Sequence, residues 1–243
     1  MNEQAKPPAA VSWGGYFAIT LLIVLPLSVL LVRSGAWQQG LLLYAVACLG
    51  STVLLILFIV LLLLPGFGAW RRAIRWRALY TLPGTIALLS LTLGGGDYPP
   101  IHDITTDPND PPRFVNAKEQ RGPRANPLAI DPEVLEQQLA AYPDLQTLRS
   151  PVGIDATFTR AAEVARELGW EIYHEDRAAG IIEAVDTTPI MGFRDDVVIR
   201  VRGDAEGAYV DLRSVSRVGR GDIGANAQRI RAFSEAFRDS FGE

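Results

Sequence analysis

Two long stretches without charge constrain this chain more than any other feature of its sequence. Residues 13–32 contain no charged side chain, and after a loop of seven residues, 33–39, a second uncharged stretch covers residues 40–64. At about 1.5 Å per residue, helices of this length cross a hydrocarbon core of about 30 Å. The first stretch is also longer than the apolar core of a cleaved signal peptide. The sequence therefore predicts that the chain begins with a membrane-spanning helical hairpin.

A third uncharged stretch, residues 78–96, contains Pro83 and Gly84 and is predicted to span the membrane as well. The three stretches contain no Asp, Glu, Lys, Arg or His. Because ionisable side chains inside a membrane usually mark ion or proton paths, a transporter or pump is disfavoured. We interpret residues 1–97 as a membrane domain whose three transmembrane helices anchor the chain in the lipid bilayer.

The arginines of this domain predict its orientation. Four of the seven residues 71–77 are arginines, whereas the loop 33–39 contains only Arg33. Loops rich in Lys and Arg remain on the cytoplasmic side. The amino terminus is then cytoplasmic, and the chain after residue 96 lies outside. This pattern predicts a multi-pass protein of the bacterial inner membrane with a periplasmic, or otherwise extracytoplasmic, C-terminal domain.

Charge distinguishes the membrane domain from the rest of the chain. Residues 1–97 carry six Lys or Arg and two Asp or Glu, whereas residues 98–243 carry 17 Lys or Arg and 25 Asp or Glu. An acidic domain outside the cytoplasm excludes nucleic acid as a partner. The sequence does not indicate an oligomeric state.

Residues 98–154 are predicted to form a Pro-rich extended segment followed by a short helix. Eight of the 16 prolines lie between Pro99 and Pro132, which excludes regular structure over most of that stretch. A flexible tether is one interpretation. We favour a segment ordered against the domain, because it contains the apolar residues Ile101, Ile104, Phe114 and Val115. The short helix is expected to begin with Asp131 as its N-cap and to end before Pro143.

Residues 155–243 show the pattern of a small α+β domain. Apolar residues at helical spacing predict a helix from Asp155 to Gly169, and a second apolar stripe predicts a last helix after Asp222. Between them, alternation and turn residues predict four strands, at residues 170–174, 181–185, 197–202 and 208–218. The expected fold is a three-helix transmembrane anchor followed by a two-layer domain, in which two helices pack on one face of a four-stranded antiparallel sheet.

A polar cluster at the end of the last predicted strand is the main candidate site. Its members are Arg213, Ser216, Arg217, Asp222, Asn226 and Arg229. They could form an anion pocket, since arginines and the amino terminus of a helix both bind carboxylates and phosphates. They could instead brace the fold, with Asp222 as cap and ion-pair partner and Asn226 bonded to loop backbone. We favour bracing, because a capping carboxylate occupies the position that an anion would take.

A second candidate is the loop between the second and third predicted strands. Its residues Pro189, Ile190, Met191 and Phe193 are unusually apolar for a turn. If these side chains are exposed, they would contact the bilayer or a partner protein. The alternative is that the loop folds back over the small core.

Other chemistry-bearing residues give no catalytic site, cofactor or metal centre in our interpretation. His102 and His174 are the only histidines, and Cys48 lies within a predicted span. A metal site built from His102, Asp103 and Asp107 is not favoured. The adjacent carboxylates of Asp195 and Asp196 are expected to be solvated residues at a strand edge. An enzyme is therefore less favoured than a binding protein.

Four stretches of the chain carry a family resemblance. They are residues 101–107 (IHDITTD), 195–200 (DDVVIR), 211–219 (DLRSVSRVG) and 222–231 (DIGANAQRIR). Together these resemble the domain-of-unknown-function family numbered 1499, found in bacteria and chloroplasts, over about residues 98–241. The resemblance implies no activity and no cofactor.

These observations favour a membrane-anchored extracytoplasmic binding or assembly module that holds a protein or lipid partner. The alternative is a small-anion receptor, or an enzyme, built on the arginine-rich loop 213–229.

The predicted orientation can be tested with reporter fusions. A reporter that is active only in the periplasm should be active after Glu243 and inactive after Arg72, because the arginine loop is held inside. The measurement is reporter activity normalised to protein level. Activity after Arg72 with silence after Glu243 would reverse the orientation.

Overall fold

A computed structural model of the protein describes residues 6–93, 96, 98–204 and 207–241. The chain forms two compact units. The membrane unit consists of Met1–Gly95 with Ile190–Gly192, and the soluble unit of Gly96–Pro189 with Phe193–Glu243.

The membrane unit contains four α-helices. They are α1 (Ala9–Arg33), α2 (Trp37–Leu63), α3 (Arg71–Leu79) and α4 (Leu82–Leu93), with a 3₁₀ turn at Pro65–Trp70 between α2 and α3. Helices α1 and α2 have 25 and 27 residues and are apolar enough to cross a membrane. These two helices agree with the first two predicted spans.

The third predicted span, residues 78–96, differs from the structure. In its place the chain breaks between α3 and α4, and α4 has only 12 residues, a length of about 18 Å. The break follows from Pro83, which lacks an N–H and is tolerated only in the first turn of a helix, so a new helix begins there. Gly94 and Gly95, near the end of the predicted span, lie outside the described residues.

Helices α3 and α4 both pack along α2, and a glycine allows the close approach of α4. A Cβ on Gly84 would lie 2.4 Å from the hydroxyl oxygen of Ser51, so only glycine allows this approach. Ile74 of α3 packs with Phe58 near the end of α2, and Leu88 of α4 packs in the cluster that contains Cys48. The two short helices therefore follow α2 from its carboxyl-terminal part towards its amino-terminal part.

The soluble unit is an antiparallel sheet of six strands. They are β1 (Asp103–Thr105), β2 (Leu148–Ser150), β3 (Glu171–Asp176), β4 (Ile181–Thr187), β5 (Arg194–Asp204) and β6 (Gly207–Ser216). Their order is β1-β6-β5-β4-β3, with β2 also paired to β6. The predicted number of four strands is wrong, because β1 and β2 have three residues each and are too short to show an alternating pattern.

Four helices accompany this sheet: α5 (Ala117–Gln120), α6 (Pro132–Ala141), α7 (Ile154–Glu167) and α8 (Ala225–Asp239). Helix α6 begins as predicted, since the Asp131 side chain accepts a hydrogen bond from the N–H of Glu133. Helices α7 and α8 pack on one face of the sheet over a single apolar core. In that core Phe233 stacks between Trp170 and Phe237, at ring-centre distances of 5.5 and 5.8 Å.

The segment before α6 lies on the opposite face of the sheet. Ile101 and Ile104 are buried in the core beneath α7 and α8, whereas on the opposite face Phe114 is half-buried and Val115 is 65% exposed. Backbone N–H groups of Val115 and Asn116 bond to the buried side chain of Glu183 on β4. Residues 106–128 therefore cover the second face of the sheet, mostly through polar contacts.

Phe237 provides a test of this core. Phe237 belongs to α8 and its side chain is fully buried in the core. Phe237→Ala is therefore expected to cost about 3 to 5 kcal/mol of unfolding free energy. The measurement is pulse proteolysis of the full chain in detergent across a urea series. Phe241→Ala is the control, because Phe241 is only partly buried at the edge of the same cluster and should cost less. Equal losses in the two variants would contradict this assignment of the core.

Candidate functional site

The predicted polar cluster lies where α8 crosses one end of the sheet. The register pairs Asp186 with Asp195 and Asp195 with Ser216 across β4, β5 and β6. Side chains of residues directly opposite each other in a sheet point to the same face. The helix-facing side of this end therefore carries two carboxylates and a hydroxyl side by side.

Arg229 of α8 neutralises these carboxylates. Its Nε donates to Asp186 Oδ2 at 2.6 Å and its Nη2 to Asp195 Oδ2 at 2.7 Å. Its Nη1 donates to the Ser214 hydroxyl at 3.0 Å and to the side-chain oxygen of Asn226. All three guanidinium nitrogens are thus engaged within the protein, and the residue is only 7% exposed.

Asn226 joins the helix to the strands and is fully buried. Its Nδ2 donates to the carbonyl of His102 at 3.0 Å and to the Ser216 hydroxyl at 2.9 Å. Its side-chain oxygen accepts from the Ser214 hydroxyl at 2.7 Å. The predicted backbone contact exists, although it is made to the residue just before β1.

Asp222 caps α8 from outside the helix. Its carboxylate accepts hydrogen bonds from the N–H of Gly224 at 2.9 Å and of Asn226 at 2.7 Å. Gly224 occupies the N-cap position itself, with a left-handed φ of 78°. Among the side chains that the structure describes, no arginine forms the predicted ion pair with Asp222, because the arginines of the cluster bind other carboxylates.

Arg213 and Arg217 lie on the opposite face of the sheet, away from Arg229. Arg213 forms a two-pronged ion pair with Asp103, at 2.9 and 2.6 Å, and is only 2% exposed. Arg217 binds both oxygens of Asp196, at 3.0 and 2.7 Å, and Arg121 donates to the same carboxylate. The six predicted residues therefore belong to two sites, one on each face of the sheet.

Asp195 and Asp196 are not the solvated edge residues that were expected. They are 3% and 0% exposed. Adjacent residues of a strand face opposite ways, so one carboxylate meets Arg229 and the other meets Arg121 and Arg217. These arginines lie in other parts of the chain, so the sequence around Asp195 and Asp196 does not indicate the ion pairs.

Sequence reasoning also missed buried acids elsewhere on the outer face. Glu183 is fully buried beneath the backbone of Val115 and Asn116, and Asp211 is fully buried against Arg200 and Arg202. A signal was present for Glu183, since it interrupts the apolar run of β4. An acid at such a position predicts a buried partner rather than a solvated face.

Burial shifts the ionisation of several of these groups. It raises the pKa of the Asp195 carboxyl, and Arg229 opposes this shift. It lowers the pKa of the Arg121 guanidinium, while Asp196 acts in the opposite direction. Burial also raises the pKa of Tyr173, which lies near Glu183. Each of these ion pairs therefore forms although burial disfavours the charged state of its partners.

The apolar loop between β4 and β5 is closed by its own hydrogen bonds. The N–H of Phe193 donates to the Thr188 hydroxyl, and the N–H of Thr188 donates to the Phe193 carbonyl, both at 2.8 Å. Ile190 is 69% exposed, whereas Met191 and Phe193 are half-buried and Pro189 is exposed. At least Ile190 does not fold back over the core, so that alternative is wrong for this residue.

The remaining candidates do not converge on a reactive centre. Within the described parts of the chain, no group of three His, Cys, Asp or Glu side chains has the arrangement of a metal site. His174 is half-buried in β3 and Cys48 is buried in the membrane unit. Two open depressions lie elsewhere on the soluble unit, one beside Arg231 and one beside Ile154.

Residues 103–237 match the family described as protein of unknown function (DUF1499). This match covers more than half of the chain. The chain belongs to the DUF1499 family. No curated protein matches the chain. The region that matches the family runs from β1 into α8, so it includes both faces of the charge network and excludes the membrane helices.

Substitutions separate bracing from anion binding at the cluster. Arg229→Ala leaves Asp186 and Asp195 without a cation, so it should cost about 3 to 5 kcal/mol of unfolding free energy. Asp222→Ala should cost about 1 to 2 kcal/mol, because α8 loses its cap. Arg231→Ala is the control, since its pair with Asp144 is exposed and should contribute less than about 1 kcal/mol. The losses are measured by pulse proteolysis of the full chain in detergent.

Thermal melts with phosphates, carboxylates and lipid headgroups complete this test. Bracing predicts that none of these anions stabilises the wild type through Arg229. If an anion raised the melting temperature of the wild type but not of a stable Arg229→Ala variant, the cluster would be a ligand site.

Proposed function

We propose that this DUF1499 protein is a membrane-anchored extracytoplasmic module that binds or assembles a partner at one end of its sheet. The partner is a lipid or a protein. The observation that carries the proposal is a contrast at this end: Arg213, Arg217 and Arg229 are satisfied inside the protein, whereas the apolar residue Ile190 is 69% exposed.

An anchor of three crossings is part of the proposal. Helices α1 and α2 are each long enough to span, and α3 and α4 follow α2 as two short helices in series. The uncharged residues 78–93, from the end of α3 through α4, cover about 24 Å at the rise of a helix, and the uncharged residues 94–96 follow in the sequence. With the arginines of α3 held inside, this third crossing leads the chain out of the cytoplasm.

The anion-receptor or enzyme alternative on residues 213–229 has less support. A receptor for phosphate or carboxylate needs cationic groups that the ligand can reach. Here the three guanidinium groups donate to four carboxylates, two backbone carbonyls, the Ser214 hydroxyl and the side-chain oxygen of Asn226. A ligand would have to displace an internal carboxylate from each arginine.

Lipid and protein partners both suit an exposed apolar loop on a rigid base. The hydrogen bonds between Thr188 and Phe193 hold the ends of the loop together. Rigid presentation lowers the entropy lost when an apolar side chain becomes ordered against a partner. Exposed apolar side chains of this kind mark protein or membrane contact sites.

Site-specific photocrosslinking tests the proposal in membranes. A photoreactive residue at Ile190 of the full chain should yield adducts with a lipid or with one discrete protein. The same residue at Ile154 is the control, because Ile154 is also exposed but lies at the opposite end of the sheet, beside Gly203. Mass spectrometry of the adducts identifies the partner. Yields at Ile190 no higher than those at Ile154 would refute the proposed contact.

A further inference from the structure

Ile223 combines two features that rarely occur together. Its φ is +54°, in the left-handed region, and its side chain is 64% exposed. A β-branched side chain in this region is strained, and such strain persists only where the surrounding structure imposes it. Contact of an apolar side chain with water is not favourable, so it supplies no free energy that would offset this strain. The combination points to a surface that Ile223 contacts outside the described fold.

The loop that carries Ile223 leaves the sheet at the same end as the β4–β5 loop. Thr187 pairs with Arg194 where that loop begins and ends, and Asp195 pairs with Ser216 at the end of β6. The Ile223 loop, residues 217–224, follows β6 directly. The two most apolar tips of this end of the sheet, Ile190 and Ile223, therefore emerge from neighbouring strands.

The chain from the membrane helices also joins the soluble unit at this end. A Cβ on Gly221 would lie 3.1 Å from Pro100 Cα, and a Cβ on Gly224 would lie 2.6 Å from the ring of Tyr98. Strand β1 then runs away from this end, since Asp103 pairs with Val215. Tyr98 and Pro100 thus pack directly on the loop that carries Ile223.

Covalent connection limits how far this loop can lie from the bilayer. Four residues, 94–97, separate the last residue of α4 from Tyr98. A fully extended chain covers at most about 18 Å over those five peptide steps. If α4 ends at the membrane interface, as in the three-crossing anchor, the loop beside Tyr98 lies within reach of the lipid headgroups.

The exposed arginines near this loop suit a surface of anionic lipid headgroups. Arg220 is exposed three residues before Ile223, and Arg124 is exposed two residues before Asn126, whose side chain binds the Gly219 carbonyl. Cationic side chains around an apolar tip are attracted to anionic headgroups while the tip enters the interface.

We propose that Ile223 inserts into the headgroup region of the bilayer and, with Ile190, holds this end of the sheet against the membrane. The inference rests on the proposed function and deepens it, because it names lipid as the partner of this surface. The occupant is the bilayer that anchors the same chain, rather than a second protein.

Fluorescence of the full chain in vesicles tests the contact. Cys48→Ala removes the only cysteine, and Ile223→Cys, Ile190→Cys and Ile154→Cys are then labelled one at a time with a dye sensitive to polarity. The vesicles contain phosphatidylcholine and phosphatidylglycerol, with or without lipids that carry a quencher in the headgroup region. We expect a blue-shifted emission and strong quenching at positions 223 and 190, and neither at position 154.

Each pattern of quenching has a separate meaning. Quenching at 190 but not at 223 would overturn the inference and leave the proposed function intact. Quenching at neither would overturn the inference, and the proposed function would then depend on a protein adduct at Ile190. Quenching at 223 that vanishes when the protein is diluted in lipid would indicate a second copy and overturn the inference.

A backbone-compatible variant separates contact from folding. Ile223→Asn keeps a residue that tolerates positive φ but removes the apolar surface. With the label at position 190, this variant should show weaker quenching than the parent while resisting proteolysis equally well. Unchanged quenching at 190 would show that Ile223 contributes nothing to the membrane contact.

Discussion

The structure of the soluble unit depends on neutralising carboxylates that its sheet buries on both faces. Strand β5 presents Asp195 to the helices and Asp196 to the opposite side, and neither is exposed to water. An isolated buried carboxylate is unstable, so each requires a cation or several donors at hydrogen-bonding distance. Arg229 on α8 serves one face, whereas Arg121 and Arg217 serve the other. The position of α8 and the course of the Pro-rich segment are thus set by the same pair of adjacent residues.

This requirement explains why the Pro-rich segment is part of the domain. Prolines prevent it from forming a long helix or a central strand, so many of its backbone N–H groups remain available to other acceptors. Two of these groups bind Glu183, and the carbonyls of Pro112 and Leu128 accept from Arg213. The segment therefore replaces the second layer of helices that would otherwise cover this face, and it does so with hydrogen bonds instead of apolar packing.

Sequence reasoning succeeded where the signal was local and periodic. The stripes of α7 and α8, the cap of α6 and the two long apolar helices all follow from spacing within about one element. It failed for β1 and β2, because each has only three residues and is recognised as a strand only by its pairing with β6. It also misjudged Asp195 and Asp196, since acids preceding a strand are usually solvated and their arginines lie on other elements. The candidate cluster follows from the spacing of polar residues, but its division between two faces required the register of the sheet.

The pairing of β1 with β6 has a consequence for how the chain is made. Asp103 and Arg213 are 110 residues apart, yet they close the edge of the sheet. Contacts of such separation form slowly, because a long loop must close before they contribute. While the chain is synthesised from its amino terminus, β1 has no β6 to pair with until almost the whole soluble unit has been made. Until β6 is complete, β1 carries backbone N–H and C=O groups without their native partners, so the partly made chain is open to pairing with other strands.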